Sequence, residues 1–158
     1  MKLNHLLAIA PALLFSSCVQ YYSLPEDYAG PTATIVNRGE AHDAFKSSVF
    51  RVAEIDGKQV TSTPMKTPYG GGPVVTMGES SVVVPAGSPI EVKLSAGDRF
   101  AADGAALMYG LSGNVSKSAA ETFTFTPKAN ATYLVDGQLG KDRSSVWMKD
   151  QASGRRFP

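Results

Sequence analysis

The chain has 158 residues, with 15 Lys and Arg against 14 Asp and Glu, a net charge of +1 and 43% apolar residues. That length fits one domain, and the apolar fraction is that of a globular chain rather than a disordered one. The near-neutral balance argues against a nucleic-acid partner, which needs a basic face, and one Cys with two His excludes an internal disulfide or a zinc site built from those residues.

Residues 1–18 read MKLNHLLAIAPALLFSSC. Lys2 supplies a positive start, Leu6 to Phe15 an apolar run with Pro11 inside it, and Ser16-Ser17 small residues before Cys18. The run is too short to cross a ~30 Å hydrocarbon core, which takes ~20 helical residues, so it reads as a removable signal. This order resembles the signal of bacterial lipoproteins, with Phe15 standing where that family prefers Leu. The resemblance implies cleavage between Ser17 and Cys18 and a diacylglyceryl thioether on Cys18. In many bacteria a third acyl chain joins the new amino group. Each buried CH₂ adds ~0.8 kcal/mol, so two or three chains make a lasting bilayer anchor. The family's sorting rule retains proteins with Asp after the Cys at the inner membrane. Val19 therefore implies a lipid-anchored place in the cell envelope, at the outer membrane.

Residues 18–30 read as the lipidated Cys and a tether, with Pro25, Gly30 and no sustained periodicity. Tyr21, Tyr22 and Tyr28 suit either lipid headgroups or packing on the domain. A domain over residues 31–151 and a flexible tail over 152–158 follow. Thr32 to Asn37 is β-branched and alternating, which predicts a strand. Glu40 to Ser48 is polar and accommodates one helical turn. Val49 to Ile55 predicts a strand, Asp56-Gly57 a type I′ hairpin turn, and Gln59 to Thr61 the returning strand. Residues 62–73 are a loop rich in Pro and Gly. Val74 to Met77 and Ser81 to Val84 are short strands divided by Gly78.

Pro85-Ala86-Gly87 is a turn. Ile90, Val92 and Leu94 alternate with Glu91, Lys93 and Ser95, the pattern of a strand with one buried face. Ala96-Gly97-Asp98 predicts another turn. Phe100 to Leu111 fits either a strand pair broken at Asp103-Gly104 or a short helix from Ala105 to Tyr109. Residues 112–120 are loop-like. Phe123 and Phe125 alternate with threonines, Asn130 tolerates positive φ in a turn, and Tyr133 and Val135 continue the alternation. Gln138 to Ser144 is a loop and Val146 to Lys149 the last strand. Short strands at this spacing, without a long amphipathic helix, predict an all-β antiparallel sandwich or open barrel of about seven to nine strands.

Three stretches carry a second resemblance: FRVAEIDGK at 50–58, VPAGSPIEV at 84–92 and FTPKANATY at 125–133. Together they resemble small bacterial envelope lipoproteins with a transthyretin-like or PEGA-like β-sandwich of Greek-key type. The likeness lies in turn and strand chemistry. It therefore implies a fold and transfers no catalytic residue, metal or cofactor.

Chemistry-bearing residues are sparse. His42 with Glu40 and Asp43 forms a loop cluster, and a Ser-His-Asp arrangement would have to use His42 as its base. No Gly-x-Ser-x-Gly elbow is present. Asp98, Asp103 and Asp136 lie near predicted turns, where Asp is favoured for backbone reasons. Gly70-Gly71-Gly72 lacks the Gly-Lys-Ser/Thr of a phosphate loop. Trp147 faces outward if Val146 and Met148 face in, and with Leu134 would make a binding patch. Trp147 and Tyr69 are thus the candidate binding-surface residues. The expectation is a non-enzymatic envelope lipoprotein that binds a protein partner or serves an envelope assembly. The alternatives are a glycan or small-molecule binder, and a carboxylate-based hydrolase.

Overall fold

The computed structural model describes residues 19–42, 46–66, 76–78, 80–101 and 103–158. The signal, Cys18, Asp43, Tyr69, Gly70-Gly71-Gly72 and the start of the strand expected at Val74 lie outside the described residues. In chain order the elements are β1 (Thr32–Ala41), β2 (Lys46–Ile55), β3 (Lys58–Gln59), β4 (Met65–Lys66), β5 (Thr76–Met77) and β6 (Ser80–Pro85). Then come β7 (Ile90–Phe100), α1 (Asp103–Leu111), β8 (Ser118–Phe125), β9 (Thr132–Leu139), β10 (Ser144–Asp150) and β11 (Arg156–Phe157).

Nine strands form one curled sheet in the order β11-β10-β9-β1-β2-β7-β8, with β3 added to β2 and β6 to β1. β4 and β5 make a separate ribbon. The sheet is mixed, which corrects the expectation of an all-antiparallel one: β1 and β9 pair in parallel from Thr34↔Thr132 to Val36↔Leu134. The cause is a shared starting point. Asn130 donates its N–H to the Thr32 carbonyl at 2.8 Å, and Thr34 donates to Ala131 at 3.0 Å. Both strands therefore leave the same end of the molecule in the same direction.

β1 also changes partners along its length. Thr32 to Asn37 pairs with β6, while Arg38 to Ala41 pairs with β2. The inward side chains Ile35, Phe50, Val52, Ile55, Val84, Val92, Leu94, Tyr133, Val135 and Met148 form the core. Fully burying an apolar side chain of this kind is worth about 1.5–3 kcal/mol. Phe50 of β2 lies against Gly137 of β9, so close that a Cβ on Gly137 would sit 2.6 Å from the ring. Curling brings the two ends of the sheet together through rings. Phe157 of β11 stacks on Phe123 of β8 with centroids 6.3 Å apart, and Phe125 meets Tyr133 edge-on at 5.1 Å.

The turn predictions hold where positive φ is required. Asp56 and Gly57 have φ of 48° and 73°, Gly87 of 89° and Asn130 of 60°. Elsewhere long-range pairing replaces the expected loops. Ala96-Gly97-Asp98 is not a turn, because β7 is paired on both sides there: Gly97 lies opposite Val49 of β2 and Ser118 of β8. Glu40–Ala41 and Lys46–Ser48 are strand rather than helix. The ambiguous segment after Phe100 contains α1. The expected tail carries β11, paired through Met148↔Phe157 and Lys149↔Arg156. The Asp150 carboxylate closes that turn by accepting the Ala152 and Ser153 N–H groups at 2.9 Å each.

The expected tether also lies on the domain. Tyr22 donates its N–H to Gln59 O and Gln59 donates its own to Gln20 O, both at 2.8 Å. The Tyr22 hydroxyl donates to Val83 O at 3.1 Å, and its ring packs against the core.

These connections define two poles. One holds residues 19–31 with the turns at 56–57, 86–89 and 127–131. The other holds α1, residues 112–117 and the turn at 140–143. The ten-residue β2 runs between them, at ~3.3 Å per residue a separation of roughly 30 Å. Among the described residues no helix is long and apolar enough to cross a membrane.

Candidate functional site

Along the paired inner positions of β2 and β7 the chemistry changes toward the second pole. Val52↔Leu94 and Phe50↔Ala96 are apolar, Ser48↔Asp98 is polar, and Lys46↔Phe100 ends the ladder. Asp98 is the hub. Its carboxylate accepts the Ser48 hydroxyl at 3.3 Å and the Lys117 N–H at 3.1 Å, and pairs with Lys46 Nζ at 3.2 Å. A buried carboxylate survives only with such partners. Lys46 Nζ also donates to the Tyr109 hydroxyl at 3.0 Å and lies 4.6 Å from the centre of that ring. Burial pulls the Lys46 ammonium down, but the bonds to Tyr109 and Asp98 outweigh it and hold its pKa above the usual value. Phe100 meets Tyr109 at 5.1 Å. One residue of α1 is thereby clamped to the domain by an aromatic contact and an ammonium.

His42 joins this network through Nε2, 2.7 Å from Ser48 Oγ. The order is His42, Ser48, Asp98, with the serine in the middle. Nucleophilic catalysis needs the imidazole between carboxylate and serine, so that it is oriented by one and deprotonates the other. Here Ser48 is only 2% exposed and Asp98 is engaged by Lys46 and Lys117. The arrangement ties β1, β2 and β7 to α1. Among the described residues no group of three His, Cys, Asp or Glu could hold a metal ion.

The other face of α1 is bare. Leu107, Met108 and Leu111 are 64%, 64% and 73% exposed, and Val115 in the following loop is 79% exposed. The helix stops at Gly113, whose φ of 77° is the left-handed cap conformation, with its N–H on Gly110 O at 3.0 Å. Beyond the cap, Tyr109, Asn114, Val115, Lys117, Lys141 and Ser144 line a groove of about 560 Å³ between the α1–β8 loop and the β9–β10 turn. Lys141 is exposed and Lys117 half-buried. Tyr109 of α1 and the exposed Val115 both line this groove.

The expected Trp147 patch is not open. Val146 and Met148 are buried and Trp147 faces out, as the alternation predicts. Arg156 of β11 then lies over the Trp147 ring, its guanidinium carbon 3.9 Å from the centroid. Leu134 lies opposite Lys149, while Trp147 lies opposite Asp136. Nearby, Asp136 pairs with Arg38 at 2.6 Å and Lys149 at 3.1 Å and accepts the Gly137 N–H at 2.9 Å. Burial pushes its carboxyl pKa up. The Lys149 and Gly137 hydrogen bonds, with the charges of Arg38 and Lys149, outweigh that and hold it low. This trio joins β1, β9 and β10.

Sequence reasoning missed the α1 face. Leu107, Met108 and Leu111 have one-face helical spacing, but a segment this short does not separate helix from strand by pattern. No protein-family model, curated protein or solved structure matches this chain.

Proposed function

We propose that the protein is a bacterial envelope lipoprotein without enzymatic activity, anchored in the outer membrane through acylated Cys18, whose domain binds a protein partner. The observation that carries this reading is the opposition of two features. The segment that follows Cys18 is held at the first pole by Gln59 and Val83, and the exposed apolar residues of α1 are at the second. An anchor at one pole turns the other away from the bilayer. The transthyretin-like sandwich reading is supported by the packing of β2 on β9 through Phe50 and Gly137 and by the hairpin at Asp56-Gly57. The absence of a catalytic role for Ser48 is supported by its burial and by the order of its partners.

Two measurements test the proposal. The intact mass of membrane-extracted protein should correspond to loss of residues 1–17 plus acyl groups; a processed chain without them overturns the anchor. A photo-crosslinking residue at Leu111 should capture one reproducible envelope protein in cells, while the same residue at Lys58, in the hairpin of the first pole, should not. Equal capture at both positions, or none at Leu111, overturns the binding role.

A further inference from the structure

We infer that the second pole docks an acidic segment of a partner protein that also carries apolar side chains, with α1 receiving the apolar side chains and Lys117 and Lys141 the carboxylates. The inference rests on the protein-binding reading above and names the chemistry of the partner. Leu107, Met108 and Leu111 share one exposed face of α1 at helical spacing, and Val115 in the loop that follows is exposed as well. Contiguous exposed apolar area of this kind marks an interaction surface. Tyr109 of α1 and Val115 line the groove that contains Lys117 and Lys141, so the basic residues adjoin the helix that carries the exposed apolar side chains. Neither lysine makes an ion pair among the described residues. Asp98 is turned inward to Lys46 and the Lys117 backbone, so it does not neutralise the groove. Asp142 and Arg143 follow Lys141 in the same turn and leave the local balance positive.

Charge complementarity selects among the occupants. A second copy would bring Lys117 and Lys141 against themselves, and like charges across an interface are costly. An anionic membrane needs a larger basic cluster than two lysines. A glycan is met by aromatic faces, and the one aromatic ring among the described residues that line the groove, Tyr109, is already held by Phe100 and Lys46. An acidic, partly apolar protein segment satisfies both halves of the surface.

The test uses the full chain in detergent and fluorescence polarisation with three synthetic peptides. One is of Leu and Glu at helical spacing, one of Leu and Lys, and one of Ser and Glu. The Leu/Glu peptide should bind at least about tenfold more tightly than either control and weaken with added salt. Lys117→Glu with Lys141→Glu, and separately Leu111→Asn, should each weaken it about tenfold. Lys58→Glu should not, and a melting curve on each variant separates lost binding from lost folding. Equal binding of the three peptides, or indifference to Lys117→Glu with Lys141→Glu in a folded variant, overturns the inference. So does preference for anionic vesicles or polygalacturonate over the Leu/Glu peptide, or a Leu111-dependent dimer in sedimentation. Should the Leu111 crosslink capture a partner without an acidic segment, the binding role stands and this assignment falls.

Discussion

The side-chain carbonyl of Asn37 accepts the Val52 N–H at 2.9 Å, at the residue where β1 leaves β6 and pairs with β2. The register of β2 on β7 shifts just beyond, between Val52 and Glu54. A strand that changes partners leaves a ladder group without a backbone mate, and here a buried amide supplies it. The same amide donates to Ser80 Oγ at 2.9 Å, and Ser80 in turn is hydrogen-bonded to Ser62.

Asn37→Ala should therefore cost about 1–3 kcal/mol, because Val52 N–H is left buried without an acceptor. Thermal or urea unfolding reads this directly. Hydrogen exchange at Val52 should rise more than at Leu94, which is paired through the regular ladder. A variant as stable as the parent would mean that another group takes the Val52 N–H.

Gly137→Ala should destabilise by about 1–3 kcal/mol through overpacking. Its Cβ would stand 2.6 Å from Phe50 Cδ1 and 2.6 Å from the Ser145 carbonyl oxygen. Phe50→Leu in the same chain should recover part of the loss, since it relieves the ring contact but not the backbone one. A double-mutant cycle in urea measures the coupling, and strict additivity would show that the two residues do not press on each other.

Asp136 makes stability pH-dependent on the acid side. Its carboxyl pKa is lower folded than unfolded, so its contribution is complete above the unfolded carboxylate pKa of ~3.9 and is lost as pH falls through the lower folded value. Asp136→Asn should lower stability at neutral pH and flatten the fall of the melting temperature at acid pH. An unchanged acid slope would mean that Arg38 and Lys149 do not hold the carboxylate in solution.

Tyr22 acts at the other end of the scale. Burial, then the Asp56 charge and Tyr28, push its hydroxyl from 10.0 up to about 12. A raised folded pKa gives a contribution that is complete below about 10 and is lost as pH rises toward about 12. Tyr22→Phe should remove this alkaline loss and the hydrogen bond to Val83, at a net cost of about 1 kcal/mol. It should also speed hydrogen exchange at Tyr22 and Gln59, which hold residues 19–22 to the domain. Unaltered exchange there would mean that the hydroxyl does not fasten the segment.

By itself the amino-acid sequence determined what depends on neighbours along the chain. Asp56-Gly57, Gly87 and Asn130 take positive φ because their own side chains, or the lack of one, permit it. Ile90, Val92 and Leu94 face inward because a strand alternates its sides. The order of Lys2, apolar run, Ser16-Ser17 and Cys18 is likewise readable only along the chain, and it is the source of the anchor proposal.

Tertiary structure decided whatever depends on a distant partner. Gly97-Asp98 has turn composition, yet it stays extended because Val49 and Ser118 pair with Gly97 and Asp98 has Ser48, Lys46 and Lys117. Phe157 leaves the expected tail because Phe123, Phe125 and Tyr133 form an aromatic seat for it. The candidate docking surface has the same origin. The clamp of Tyr109 by Phe100 and Lys46 holds α1 to the domain with Leu107, Met108 and Leu111 exposed, near two lysines that the loops between the strands bring together. Local sequence sets which backbone angles are cheap, and long-range burial and hydrogen bonding then choose among them, because an unmet buried polar group costs more than a turn preference.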